Sequence, residues 1–98
     1  MGRLSLTAPV EVPLRIEDEL TSTSHWIVTV YNNEFNTYDQ VIGILMLATQ
    51  CDYDEAAIET WEVDHLGKSV VHVADESECH QVAQIIATIG IQVAVSQE

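Results

Sequence analysis

The chain has 98 residues, 47% of them hydrophobic, which is typical of one small globular domain. Its 16 carboxylates and 3 strong cations give a formal net charge of -13 at pH 7. Nucleic acids and anionic membranes are bound through clustered Lys and Arg, so neither is an expected partner. Basic partners fit such a chain better, although the acidity also fits a protein that only has to stay soluble.

The cysteines and the hydropathy pattern bear on the cellular compartment. Cys51 and Cys79 form no C-x-x-C pair, and no charged-then-apolar signal segment opens the sequence. No apolar run reaches the roughly 18 residues needed to cross a bilayer. The sequence therefore predicts a soluble, reduced, cytoplasmic protein, which we expect to be a monomer.

Catalytic and metal-binding patterns are absent from the sequence. The spacing of Cys79-His80 from Cys51 and His72 matches no common structural zinc pattern. There is no nucleophile elbow and no Gly-rich phosphate loop. The sequence predicts a binding protein, not an enzyme, without a metal or cofactor.

The chain divides into an irregular first part and a patterned second part. Residues 1–24 contain two prolines, the acidic run Glu17-Asp18-Glu19 and a polar run up to Ser24. This composition predicts a flexible N-terminal arm. Residues 25–98 are expected to form the folded core.

Two start signals and one stop signal define the first elements of the core. Trp26 to Tyr31 is rich in β-branched and aromatic residues and predicts a strand. Thr37-x-x-Gln40 has the form of a capping box, and apolar residues at spacings of three and four predict a helix to about Gln50. Asp52 is a candidate cap for a second helix that Gly67 would end.

The remaining elements give the fold class. A strand is predicted at 69–73, a third helix at 75–89 and a final strand at 91–95. The order is therefore β-α-α-β-α-β, and amphipathic helices in this order need a sheet face to bury their apolar stripes. We expect an α+β fold with three helices packed on a small, three-stranded, mainly antiparallel sheet.

The segment Asn32-Asn33-Glu34, at the end of the first strand, is the main candidate for a binding site. Amide and carboxylate oxygens there can accept hydrogen bonds from an ammonium group. The alternative is a polar turn that satisfies its own backbone. The residues alone leave both interpretations open.

This segment, taken with Val63-Asp64-His65-Leu66-Gly67-Lys68, resembles the ClpS family of Clp protease adaptors, which bind destabilising N-terminal residues. The resemblance extends from Trp26 to the end of the chain. It departs from the family pattern where Asn33 replaces an Asp and where Asp64 takes the position of the usual His. The resemblance implies that the α-amine of the ligand is bound by Asn32, Asn33, Glu34 and Asp64.

The resemblance also implies a pocket for the first side chain of the ligand and a docking surface for an ATPase. Gly43 and Thr60 stand where the family often has bulkier residues, which implies a roomier pocket. Glu76 matches an acidic docking residue on the third helix, and Gln81 replaces a basic one. The implied pocket residues are Tyr38, Val41, Gly43, Thr60, Val63 and Ile91.

The function implied by this resemblance is that of an adaptor. It would recognise N-terminal Leu, Phe, Tyr or Trp of substrate proteins and deliver them to the N-terminal domain of a Clp ATPase for degradation. The departures at Asn33, Asp64 and Gln81 keep an alternative open. In that alternative, the chain is a regulator that docks on the ATPase without reading N-termini.

Overall fold

The computed structural model describes residues 25–98, so the arm predicted for residues 1–24 lies outside the described residues. The elements follow in the predicted order β-α-α-β-α-β. Their bounds are β1 Trp26–Tyr31, α1 Tyr38–Thr49, α2 Tyr53–Leu66, β2 Lys68–Ala74, α3 Glu76–Ala87 and β3 Val93–Gln97.

The sheet has β1 in its centre. The strand order is β2-β1-β3, and both pairings are antiparallel, with Trp26 opposite Ala74 on one side and Gln97 on the other. The register between β1 and β2 shifts between Val28 and Thr29, where one extra residue enters β2. The predicted α+β fold with an antiparallel sheet is confirmed.

The hydrophobic core lies between one face of the sheet and the helices. Val28 and Val30 of β1 are fully buried, as are Leu45 of α1 and Ile86 of α3. Burying side chains of this size stabilises the fold by roughly 1.5 to 3 kcal/mol each. Cys79 also lies fully buried in this core, where burial raises the pKa of its thiol.

The predicted helix caps are present in the structure. The Thr37 hydroxyl accepts the Gln40 N–H at 3.2 Å, and Gln40 Oε1 accepts the Thr37 N–H at 3.0 Å. Asp52 Oδ1 accepts the Glu55 N–H at 2.8 Å. Gly67 ends α2 with φ 91, a left-handed conformation that glycine adopts without strain.

The largest departure from the predicted bounds is at the end of α3. This helix ends at Ala87 instead of Ile89, because the next N–H groups form tighter bonds to carbonyls three residues back. Gly90, at φ 84, then turns the chain. As a result β3 begins at Val93 and not at Ile91, and Ile91 lies in the segment between the turn and the strand.

Within residues 25–98, none of the helices is long and apolar enough to cross a membrane.

Candidate functional site

A small cleft, partly open to solvent, lies between the start of α1 and the second half of α2. One wall comes from the loop between β1 and α1, and Ile91 contributes from the segment before β3. The polar lining residues are Asn32, Asn33, Asn36, Thr37 and Asp64. The others are Tyr38, Val41, Thr60, Val63 and Ile91.

A backbone hydrogen bond brings Asn32 close to α2. The Asn32 N–H donates to the carbonyl oxygen of Gly67 at 2.9 Å. Because Gly67 ends α2, this bond places the end of β1 beside the last turn of the helix, which carries Asp64. Two segments more than 30 residues apart in the sequence therefore supply the polar end of one cleft.

Asn33 and Asn36 fix the loop between β1 and α1. Asn33 Oδ1 accepts the N–H groups of Phe35 and Asn36, both at 3.1 Å, and its Nδ2 donates to Asn36 Oδ1 at 2.8 Å. Both lone pairs of this oxygen are thus occupied within the loop. Asn36 Nδ2 in turn donates to the carbonyl oxygen of Ile89 at 2.9 Å, which ties the loop to the turn that positions Ile91.

A hydrogen bond between side chains of the two helices bridges the cleft. The Tyr38 hydroxyl donates to Asp64 Oδ2 at 2.9 Å. The pKa of Tyr38 is raised above its ordinary value by desolvation first, and then by the hydrogen bond to the Asp64 carboxylate and its negative charge. Asp64 Oδ1 remains available as an acceptor, because a carboxylate has two oxygens.

The inner part of the cleft is apolar and closely packed. Val41, Val63 and Ile91 are each at most 5% exposed. Thr60 is also buried, and its hydroxyl is satisfied because it donates to the Ala56 carbonyl at 2.7 Å. This region can therefore contact an apolar group without leaving a polar atom of Thr60 unpaired.

Eight of the ten residues predicted to bind the amine and side chain of a ligand line this cleft. The other two, Glu34 and Gly43, are exposed and do not line it. A Cβ added to Gly43 would meet no atom within 4 Å, so the space beside this residue is open. The roles of all ten in binding stay predictions.

Asn36 and Thr37 line the cleft but were not predicted as site residues. Thr37 was recognised from the sequence only as a helix cap. The signal for Asn36 was its position between Asn33 and the capping box, where Asn side chains often hydrogen-bond nearby backbone groups. Its bond to Ile89 could not be read from local sequence, because the two residues are 53 positions apart.

The two predicted docking residues lie on α3, away from the cleft lining. Glu76 and Gln81 are both exposed, and Glu76 Oε2 lies 3.6 Å from His80 Nε2. Five positions along an α-helix correspond to a rotation of about 140 degrees about its axis. A partner that contacts both residues would therefore have to cover a wide part of the α3 surface.

In chemical terms, the site combines a carboxylate and an amide at its rim with an apolar interior. A positively charged group can pair with Asp64 and with the Asn32 side chain, while an apolar substituent can contact the apolar side chains behind them. The fold and the cleft thus define a small α+β domain with a cleft that has a polar, acidic rim and an apolar interior.

Comparison with known proteins places this domain in a family. The family model described as "ATP-dependent Clp protease adaptor protein ClpS" matches residues 21–92. The chain therefore belongs to the ClpS family, as the sequence resemblance predicted, and this is a family of Clp protease adaptors.

A solved structure and a curated protein are also similar to this chain. The structure of Agrobacterium tumefaciens ClpS2 bound to L-phenylalaninamide has a TM-score of 0.70 and 15% sequence identity, and the match covers 74% of this chain and 95% of that one. This likeness shows the fold. The E3 ubiquitin-protein ligase ubr-1 of Caenorhabditis elegans is 33% identical over 70 residues, which cover 70% of this chain but only 3% of that protein.

Proposed function

We propose that the chain is an adaptor that recognises destabilising N-terminal residues, namely Leu, Phe, Tyr and Trp, and delivers the proteins that carry them to a Clp ATPase. The observation that carries this proposal is the cleft in which Asp64 and Asn32 lie next to the apolar side chains of Val41, Val63 and Ile91. A protein N-terminus with a bulky first residue has the matching chemistry, since its α-ammonium group and its apolar side chain are attached to one carbon atom.

In this proposal the α-ammonium group donates to Asp64 Oδ1 and to the Asn32 side chain. Asn33 keeps the loop in shape, because its oxygen is already bonded to two backbone N–H groups. Glu34 is exposed and acts at a distance, since its negative charge attracts a cationic terminus. A carboxylate at position 64 binds an ammonium group more strongly than a neutral imidazole would.

The side chain of the first ligand residue enters the apolar part of the cleft. Tyr38 must accommodate it, because its ring lines the cleft and its hydroxyl is bonded to Asp64 across the opening. If the ring moves aside to admit the ligand's side chain, the hydrogen bond between Tyr38 and Asp64 is lost. Phenylalaninamide, the ligand of the ClpS2 structure, combines a free amine with a benzyl side chain and is the natural first test compound.

Delivery requires contact with the ATPase, which we assign to the α3 surface around Glu76 and Gln81. Cytoplasmic location, a monomeric state and a role for residues 1–24 in substrate delivery belong to the same proposal. The similarity to part of an E3 ubiquitin-protein ligase also supports a role in protein degradation.

The test is fluorescence anisotropy with short labelled peptides that begin with Phe, Leu, Trp or Met and have a free or acetylated N-terminus. The free peptides with Phe, Leu or Trp should bind with micromolar affinity, and the acetylated forms and the Met peptide should not. Asp64→Ala should abolish binding of the Phe peptide. The matched control His65→Ala should leave most of it, because His65 does not line the cleft.

A second candidate function is regulation of the ATPase by docking alone, without recognition of N-termini. The observation that favours it is that two predicted amine ligands are already engaged, Asn33 within its loop and Asp64 with Tyr38. If no peptide binds to the folded protein while the Clp ATPase is retained in a pull-down, this second function replaces the first.

A further inference from the structure

The surface of α2 that faces away from the core carries large apolar side chains. The buried residues of this helix are Ala56, Glu59, Thr60 and Val63. With 3.6 residues per turn, the positions on the opposite side are Asp54, Ile58, Trp61 and His65, which we call the α2 ridge. Ile58 is 60% exposed and Trp61 is 50% exposed. Packing of the hydrophobic core therefore does not explain why these positions are apolar.

The aromatic part of the α2 ridge is held in place by its own helix. The rings of Trp61 and His65 are stacked, with centroids 4.3 Å apart and an angle of 16° between their planes. His65 Nδ1 also lies 3.0 Å from the Trp61 carbonyl oxygen, which fixes the imidazole against the indole. Trp61 is therefore a half-exposed, pre-ordered aromatic side chain, the kind that anchors protein interfaces because little conformational entropy is lost on binding.

The charges around the α2 ridge indicate what can cover it. Asp54 belongs to the ridge and Glu55 and Glu62 lie beside it, and Lys68 is the only Lys or Arg within residues 25–98. A second copy of this chain would bring like charges together at such a surface. Nucleic acids and anionic lipid surfaces are repelled for the same reason. The surface is complementary to a partner whose own side chains are basic.

We propose that the α2 ridge is a docking surface for a basic, amphipathic segment of a partner protein. An apolar side chain of that segment packs on Ile58, and an Arg or Lys lies against the indole of Trp61 and pairs with the flanking carboxylates. Trp is the strongest cation–π partner among the aromatic side chains, and this contact gains strength from the neighbouring negative charges. The ridge lies on a different helix from Glu76 and Gln81, so both surfaces can be used at once.

The proposal is tested with a labelled, N-acetylated peptide of about 14 residues, four helical turns, with Arg on one face and Leu on the other. Acetylation removes the free α-amine, so binding does not depend on the function proposed for the cleft. The control peptide has Glu in place of each Arg. The affinity of the full chain for the peptide is measured by the fluorescence anisotropy of the peptide's label. Contact with the ridge is measured by Trp61 emission in a Trp26→Phe background.

We expect micromolar binding of the Arg peptide with a blue shift of Trp61 emission, and no binding of the Glu peptide. Trp61→Ala and Ile58→Ala should each weaken binding by about tenfold or more, as expected for anchor residues of an interface. Leu47→Ala is the matched control, because Leu47 is an equally exposed apolar residue on α1, and it should leave the affinity unchanged. Circular dichroism verifies that each variant is folded.

Three results would overturn the proposal. The first is the absence of binding by the Arg peptide. The second is binding that Trp61→Ala and Ile58→Ala both leave unchanged, which would mean attraction to the acidic surface in general. The third is an equal loss in Leu47→Ala, which would place the contact outside the α2 ridge.

Discussion

Replacement of Glu59 by Gln should stabilise the protein at neutral and alkaline pH. Glu59 is only 9% exposed, and its Oε1 atom has no hydrogen-bond partner among the described residues. Burial first, and then the negative charges of Glu55 and Glu62, raise the pKa of Glu59 from its ordinary value of 4.5 to about 7. The ionised form is therefore disfavoured in the folded state.

The size and sign of the effect follow from this pKa difference. In the unfolded chain the carboxyl loses its proton near pH 4.5, whereas in the folded protein it keeps the proton until about pH 7. The cost to stability is thus absent below the lower value, grows as the pH rises and is complete above the higher one. Its upper limit is about 3 kcal/mol, and a gain of roughly 1 to 3 kcal/mol is expected for Glu59→Gln at about pH 8.

Urea unfolding followed by circular dichroism measures this gain. The unfolding free energy of Glu59→Gln should exceed that of the wild type by the full amount at about pH 8 and by less than about 1 kcal/mol at about pH 5. Glu34→Gln is the matched control, since it removes one negative charge from an exposed loop. An equal gain for Glu34→Gln, or a gain for Glu59→Gln that does not depend on pH, would refute the argument.

Two further predictions concern the cleft. Asp64→Asn should lower the pKa of Tyr38 towards its ordinary value, because the variant lacks the carboxylate that opposes loss of the phenolic proton. Ultraviolet titration in a Tyr31→Phe, Tyr53→Phe background measures this pKa. An unchanged Tyr38 titration would contradict the bond between the two side chains. Asn36→Ala should lower the unfolding free energy by roughly 1 to 2 kcal/mol, because the variant loses the bond to the Ile89 carbonyl. Asn32→Ala removes the same amide without this bond and should cost less, so equal losses in urea unfolding would argue against the role of Asn36.

The order of elements and the helix starts could be predicted from sequence because both depend on local signals. Thr37, Asp52 and Gly67 act through hydrogen bonds and backbone angles within their own turns, and each has the predicted effect. The end of α3 was predicted two residues too far, because the apolar spacing continues through Ile89 while the backbone already tightens after Ala87. The spacing of apolar residues indicates which side chains face the core. It does not indicate where the backbone hydrogen bonds of the α-helix end.

The cleft could be predicted only in part, for a related reason. Seven of the eight predicted residues that line it lie within residues 32–68, where the family resemblance has no gap and preserves their spacing, and the eighth is Ile91. The bonds that shape the cleft, from Tyr38 to Asp64 and from Asn36 to Ile89, join positions far apart in the sequence. The first of them also involves Asp64, where this chain departs from the family pattern. Gly43 is exposed and does not line the cleft, so the roomier pocket expected from its small size stays a prediction.

The position of β1 in the centre of the sheet has a consequence for how the protein folds. The first strand of the core pairs on one side with β2, about 40 residues further along the chain, and on the other with β3, where Trp26 is opposite Gln97. Before such distant strands can pair, the chain between them must close into a large loop. This loop closure costs conformational entropy before any stabilising contact forms, which slows folding. During synthesis, α1, α2 and α3 emerge from the ribosome before the sheet can be completed. Until β3 is synthesised, the edge of β1 that will pair with it has free backbone N–H and C=O groups. These groups can form non-native strand pairings with other chains.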